Sequence, residues 1–251
     1  MPARRHTWIF VGAAAAVLAV VAAGAFAFAP MQADDEPRES APMELWAAPA
    51  TAPLSAATPS GPGVADLVDP AWLASTAAAT GIPERALAAY AGVASRKSVE
   101  MPGCGLSWNT LAAIGATESG HGRHNGSSVE ADGTVAPPIY GIALVGGATD
   151  TIADSDDGAI DGDADWDRAV GPMQLIPQTW RNWHVDANGD GVEDPQNIDD
   201  ATMASANYLC RASGDMATER GWSLGITAYN SDPAYIVRIA AAGSAYRADT
   251  R

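Results

Sequence analysis

The stretch Ser107-Trp108-Asn109-Thr110-Leu111-Ala112-Ala113-Ile114-Gly115-Ala116-Thr117-Glu118-Ser119-Gly120-His121-Gly122 carries the reading on which the fold turns. Trp108, Leu111 and Ile114 recur at helical spacing, and Glu118 follows four residues after Ile114. The carboxylate therefore continues the apolar stripe that faces the core. Ser107 stands where a helix cap is expected, and Gly120 and Gly122 permit the sharp turn that ends the helix. A carboxyl group at the rim of an apolar face is desolvated, which favours its protonated form. Such a group suits general acid work near neutral pH. The same residues also allow a plain, solvent-exposed glutamate at a helix end, and the choice rests on segments further along the chain.

Outward from this helix, helical signals dominate. Asp69-Pro70-Ala71-Trp72 reads as an N-cap with proline at the first position. Pro83-Glu84 opens another helix with Leu87, Tyr90 and Ala94 on one face. Further helices are predicted after Pro177 through Trp180 and Trp183, after Asp199-Asp200 through Tyr208 and Leu209, and from Trp222 to Tyr229. The last begins at Asp232-Pro233 and presents Tyr235, Ile236 and Ile239 on one face. Residues 122 to 170 show no sustained helical face, and 137–145 can supply a short strand or hairpin. Long irregular stretches inside compact domains are functional or disordered. The expected fold class is mainly α (α+β), with a small β or irregular lobe.

The chain has 251 residues and a formal net charge of −16, which argues against nucleic acid and anionic membrane surfaces as partners. Residues 1–35 read as an export segment. Arg4 and Arg5 precede an apolar run from Trp8 to Ala29, and Asp34-Asp35-Glu36 follow. It serves either as a cleaved signal peptide or as a retained membrane anchor. No cysteine follows the run, so a lipoprotein is excluded. Residues 36–66, rich in Ala, Pro, Ser and Thr, read as a flexible linker, and 67–251 as the functional domain. The two cysteines, Cys104 and Cys210, form one disulfide in an exported protein or else two buried free thiols.

Three segments bear the chemistry in order: Glu118-Ser119-Gly120-His121-Gly122, then Gly171-Pro172-Met173-Gln174 running into Leu175-Ile176-Pro177-Gln178-Thr179-Trp180, then Ile226-Thr227-Ala228-Tyr229-Asn230. Together they resemble the catalytic domain of lytic murein transglycosylases, in particular the membrane-bound lytic transglycosylase B-like family with its lysozyme-like fold, over roughly residues 69–246. The resemblance implies that Glu118 is the single catalytic acid/base. It would cleave the bond between N-acetylmuramic acid and N-acetylglucosamine in peptidoglycan and form a 1,6-anhydro end. It also implies substrate contacts from Ser119, Met173, Gln174, Tyr229 and Asn230, with Tyr229 and Asn230 helping to orient Glu118 and the sugar; simple packing is the alternative for Met173 and Tyr229, and a helix-end cap for Ser119. Ordinary glycosidases use two carboxyl groups, whereas attack by the sugar's own C6 hydroxyl dispenses with one. Pro172 departs from the small residue common in the family. Asp163, Asp165 or Asp167 could bring a second carboxylate to the cleft, which would weaken the one-carboxylate argument; a muramidase on the same fold that uses water is the second reading. A non-catalytic wall-binding domain is the reading from another class.

Asp186-Ala187-Asn188-Gly189-Asp190-Gly191-Val192 matches the front half of an EF-hand: oxygen ligands at positions 1, 3 and 5, glycine at 6 and a carbonyl at 7. The similar family closes a longer loop on a later Asp, here Asp200. The implied structural Ca2+ ligands are Asp186, Asn188, Asp190, Val192 and Asp200; an acidic turn without metal is the alternative. His121 and His124 lack a third partner at zinc-like spacing and read as surface histidines beside the cleft. The expected location is the cell envelope, membrane-anchored or secreted to the wall.

Overall fold

A computed structural model of the chain describes residues 45–147 and 151–250, and these fall within one compact unit. The export segment, 1–35, and the first part of the linker lie outside the described residues. Among the described residues no helix is long and apolar enough to cross a membrane. The expected class holds: among the described residues, seven α-helices and two small antiparallel sheets make a mainly helical α+β, lysozyme-like architecture.

Helices α1 (Pro70–Thr80), α2 (Glu84–Glu100) and α3 (Trp108–Ser119) come first. The small lobe holds β1 (Ser128–Val129), β2 (Val135–Ala136), β3 (Tyr140–Ala143) and β4 (Arg168–Val170). Then follow α4 (Pro177–Trp183), α5 (Ile198–Ser213), α6 (Glu219–Tyr229) and α7 (Pro233–Asp249). Asp69 caps α1 as its sequence suggests, accepting Trp72 N–H at 2.8 Å. Ser107 does not cap α3. It occupies the N-cap position, but its hydroxyl accepts Ala50 N–H at 3.2 Å instead.

The core forms around α3, whose Trp108, Leu111 and Ile114 are fully buried. Alanines on α2, including Ala86, Ala89 and Ala91, let neighbouring helices approach closely. Gly115 answers Tyr90 of α2, since a Cβ there would stand 2.1 Å from the Tyr90 hydroxyl. Helix α3 packs on α7, α2 on α5, and α5 on α6. The disulfide reading is correct: Cys104 and Cys210, 106 residues apart, are bonded with Cα atoms 5.3 Å apart. On the chain-entropy account such a loop contributes up to about 4–5 kcal/mol. The strand expected within 137–145 is β3, but its partner is β4 rather than an adjacent hairpin arm, with Tyr140 opposite Val170.

The flexible tether expected over 36–66 is corrected in its described part. Residues 45–66 lie against the domain as a strap. Ala47 is 1% exposed and meets Gly243 of α7, where a Cβ would approach it to 2.6 Å. Asn109, itself fully buried, donates to the Ala48 and Gly243 carbonyls at 3.0 Å each and accepts Ala50 N–H at 3.1 Å. Trp108 Nε1 donates to the Thr51 carbonyl, and Val64 N–H donates to the Ala187 carbonyl. A low-periodicity Ala/Pro/Ser segment gives no sign of this, because small residues and backbone groups make the contacts. At about 1 kcal/mol per hydrogen bond, three anchors on α3 contribute about 3 kcal/mol. Deleting residues 1–66 is therefore expected to lower the melting temperature by roughly 10 °C relative to deleting 1–44, measured by circular dichroism; equal melting temperatures would show the strap to be idle.

Candidate active site

Glu118 sits in the last turn of α3, which Gly120 ends in a left-handed conformation at φ 60°. The Tyr235 hydroxyl, on the first turn of α7, donates to Glu118 Oε1 at 2.6 Å. Burial pushes the carboxyl up from 4.5 to about 7; the Tyr235 hydrogen bond and the Arg238 guanidinium pull it partly back. Arg238 lies over the Tyr235 ring, 5.8 Å from its centroid. Burial and the nearby Glu118 charge push the Tyr235 phenol upward, so it stays a donor. The result is a carboxylic acid that keeps its proton to neutral pH while one oxygen is held in place.

Ser119 and Met173 are buried and do not line the cleft. Ser119 is 4% exposed; its hydroxyl donates to the Pro172 carbonyl at 2.6 Å and accepts Gly122 N–H at 2.7 Å. It ties the end of α3 to the turn that carries Gln174. Met173 is fully buried in the core, and its carbonyl accepts the Tyr229 hydroxyl at 2.6 Å. Tyr229 is held in turn by Ser205 at 3.1 Å, so its hydroxyl fastens the Met173–Gln174 turn. Gln174 adopts φ 48°, an uncommon left-handed backbone for a side-chain-bearing residue. Its amide donates to the Gly171 carbonyl at 3.0 Å. Asn230 ends α6, exposed, and its side-chain oxygen accepts Asp232 N–H at 2.9 Å.

Glu118, Gln174, Tyr229 and Asn230 all line one cleft of about 790 Å³, with Tyr208 and Ile152 on its walls. Of the acidic stretch, Asp163 pairs with Arg168 at 2.7 Å and Asp167 is buried on Ser155, and neither they nor Asp165 line the cleft. The second carboxylate there is Asp232, whose Oδ1 accepts Ala234 N–H and caps α7. Tyr235 and Asp232 are the site residues that the sequence reading missed. The available signal was a tyrosine on the core face just after Tyr229-Asn230, since a buried phenol needs a partner.

His121 is corrected from a surface to a buried residue. It is 5% exposed and bridges the Tyr90 and Tyr246 hydroxyls at 3.2 Å each. His124 is exposed. In the EF-hand-like loop, Asp186 accepts Gly189 and Gly191 N–H, and Asn188 accepts Asp190 N–H. Asp190 accepts Val192 N–H, and Asp200 accepts Ala187 and Asp194 N–H. Asp200 is fully buried, and burial with the Asp186 charge beside it raises its carboxyl to about 6. Among the described residues no cationic side chain pairs with Asp186, Asp190 or Asp200. An all-oxygen, anionic, uncompensated donor set of this kind fits a hard divalent cation.

Residues 152–241 match the family model of the transglycosylase SLT domain. The match supports a lytic transglycosylase family and peptidoglycan as the polymer acted on. Comparison with curated proteins and with solved structures returned no match. The SLT segment spans Gln174, the EF-hand-like loop, Tyr229, Asn230 and Tyr235. Glu118 lies ahead of it and reaches the SLT cleft through the packing of α3 on α7.

The raised Glu118 value has a stability consequence. Its folded value exceeds the unfolded one, so stability is fully present below about 4.5 and is lost as pH rises through about 7. Glu118→Gln cannot ionise and escapes that loss. It is expected to be more stable than the native chain by on the order of 3 kcal/mol at pH 8, and equal to it at pH 4. Denaturant melts at the two pH values check this; a pH-independent difference would contradict the buried-acid description.

Proposed function

We propose that the chain is a lytic transglycosylase that cleaves the N-acetylmuramic acid–β-1,4–N-acetylglucosamine bond of peptidoglycan, as in the membrane-bound lytic transglycosylase B-like family. The observation that carries the reading is the half-buried Glu118, its carboxyl raised to about 7 and oriented by Tyr235 at the wall of an open cleft. In the protonated form it gives its proton to the glycosidic oxygen as the bond to the muramic C1 breaks. The resulting carboxylate then takes the proton of the C6 hydroxyl as that oxygen attacks C1. The product is a 1,6-anhydro end, and the carboxyl group is restored. The half-buried Gln174 and the exposed Asn230 line the same space, and their amides can hold sugar hydroxyl or acetamido groups.

A hydrolytic reading has one observation in its favour, because Asp232 also lines the cleft. Its Oδ1 is committed to capping α7, and Arg238 stands 3.9 Å from its other oxygen. Mass spectrometry of muropeptides released by the protein separates the two. Anhydro ends, one water lighter than reducing ends, are expected, and reducing ends alone would establish hydrolysis. Glu118→Gln is expected to lower turnover by about 10³-fold or more while substrate binding persists.

Calcium bound by Asp186, Asn188, Asp190, the Val192 carbonyl and Asp200 belongs to the same proposal, in a structural role, since no step of the reaction needs a metal. Through Val64 and Ala187 this loop also meets the strap. Chelation is expected to lower the melting temperature by several degrees and calcium to restore it; an unchanged value would remove the metal from the account. Export to the cell envelope, with the leader cleaved or kept as an anchor, completes the proposal.

A further inference from the structure

A second groove lies between α1, the end of α7 and the strap. It holds about 310 Å³, and Thr51, Trp72, Ser75, Thr76, Trp108 and Asp249 are among the residues that line it. None of them lines the catalytic cleft. Trp108 opens α3 and Glu118 stands near its other end, so about 15 Å of helix separates the groove from the acid. The strap supplies one wall, because the Thr51 carbonyl accepts Trp108 Nε1 at 3.0 Å. The volume is at the small end of the range for ligand pockets, room for a single small ring.

The polar groups of this groove await a partner. Thr76 is 5% exposed, and its hydroxyl makes no hydrogen bond among the described residues; only its carbonyl is used, by the Thr80 hydroxyl. A helical threonine commonly turns its hydroxyl to the carbonyl four residues back. Here the Trp72 carbonyl takes the Ser75 hydroxyl instead, at 3.0 Å. A buried hydroxyl left unpaired is costly. Trp72 stands half-buried beside it, edge-on to Trp108 with ring centroids 5.8 Å apart and planes at 85°. Asp249 is exposed, forms no ion pair, and is the one ionisable group among the described residues that line the groove. Together these groups select a ligand. The indole offers an apolar face to a ring bearing C–H groups, and the hydroxyl and carboxylate accept from hydroxyl or amide donors. An apolar ligand would leave Thr76 unpaired, and an anionic one would be repelled by Asp249. A neutral sugar satisfies all three residues.

We propose that this groove is a second glycan-binding site, separate from the cleft, which takes a neutral N-acetylglucosamine residue between Trp72, Thr76 and Asp249. Naming the polymer as peptidoglycan rests on the transglycosylase reading; the saccharide chemistry of the groove does not. A strand held here keeps its neighbouring segments concentrated near the cleft. Chitotetraose, an oligomer of N-acetylglucosamine alone, is the probe. Nitrogen-15 NMR of the full chain carrying Glu118→Gln follows it, with Trp72→Phe assigning the Trp72 indole signal. The Trp72 signal is expected to shift on titration. Thr76→Val, which keeps the shape, is expected to weaken that response about three- to tenfold, and Asp249→Lys about tenfold or more. Binding read at the Gln174 side-chain amide in the cleft is expected to stay unchanged in both. No Trp72 response at millimolar probe, a response of native strength in both variants, or equal weakening at Gln174 overturns the site. Should Thr76→Val fail to fold, Asp249→Lys decides, since that side chain is exposed. A Trp72 response in a chain whose native form cleaves no peptidoglycan keeps the groove and removes the transglycosylase reading; cleavage without the response does the reverse.

Discussion

The hydrogen bond from Tyr235 to Glu118 joins α3 to α7, and the catalytic reading depends on that join. Glu118 is partly shielded from water because α7 packs on α3, and that close approach is made where Gly243 of α7 meets Ala113 and the Asn109 carbonyl of α3. The strap closes the far side of the same seam through Ala47 and Asn109. Desolvation raises the carboxyl, and the phenol limits how far it rises while fixing where it points. Packing between two helices thus sets the protonation state of one side chain, and that state sets what the cleft can do.

The remaining parts of the site hang on this seam by short polar ties. Ser119 grips the Pro172 carbonyl and Tyr229 grips the Met173 carbonyl, so the turn that presents Gln174 is held from both sides. Gln174 is kept at φ 48° by these neighbours, a modest strain tolerated where the side chain must face the cleft. The two acidic loops work further out. One meets the strap, and the other flanks the wall formed by Ile152 and Ala169.

Much of this was legible in the sequence because it follows from periodicity and residue type. The Trp108–Leu111–Ile114–Glu118 stripe, the Asp69 cap and the Cys104–Cys210 pair all stand as read. What escaped depends on tertiary partners. Ser119 and Met173 sit in the motifs but act through buried backbone contacts, which a motif cannot distinguish from substrate contacts. Tyr235 looked like core packing until α3 stood beside it, and the strap looked free because alanine and proline carry no pattern. The SLT match begins beyond Glu118, so the assignment of that residue rests on geometry rather than on the matched segment.

The central claim is that Glu118 remains a neutral acid to neutral pH. Carbon-13 NMR titration of the side-chain carboxyl in glutamate-labelled protein, with Glu118→Gln to assign the signal, measures it directly. A midpoint near 7 is the expected result; a midpoint in the ordinary range near 4.5 would contradict the account.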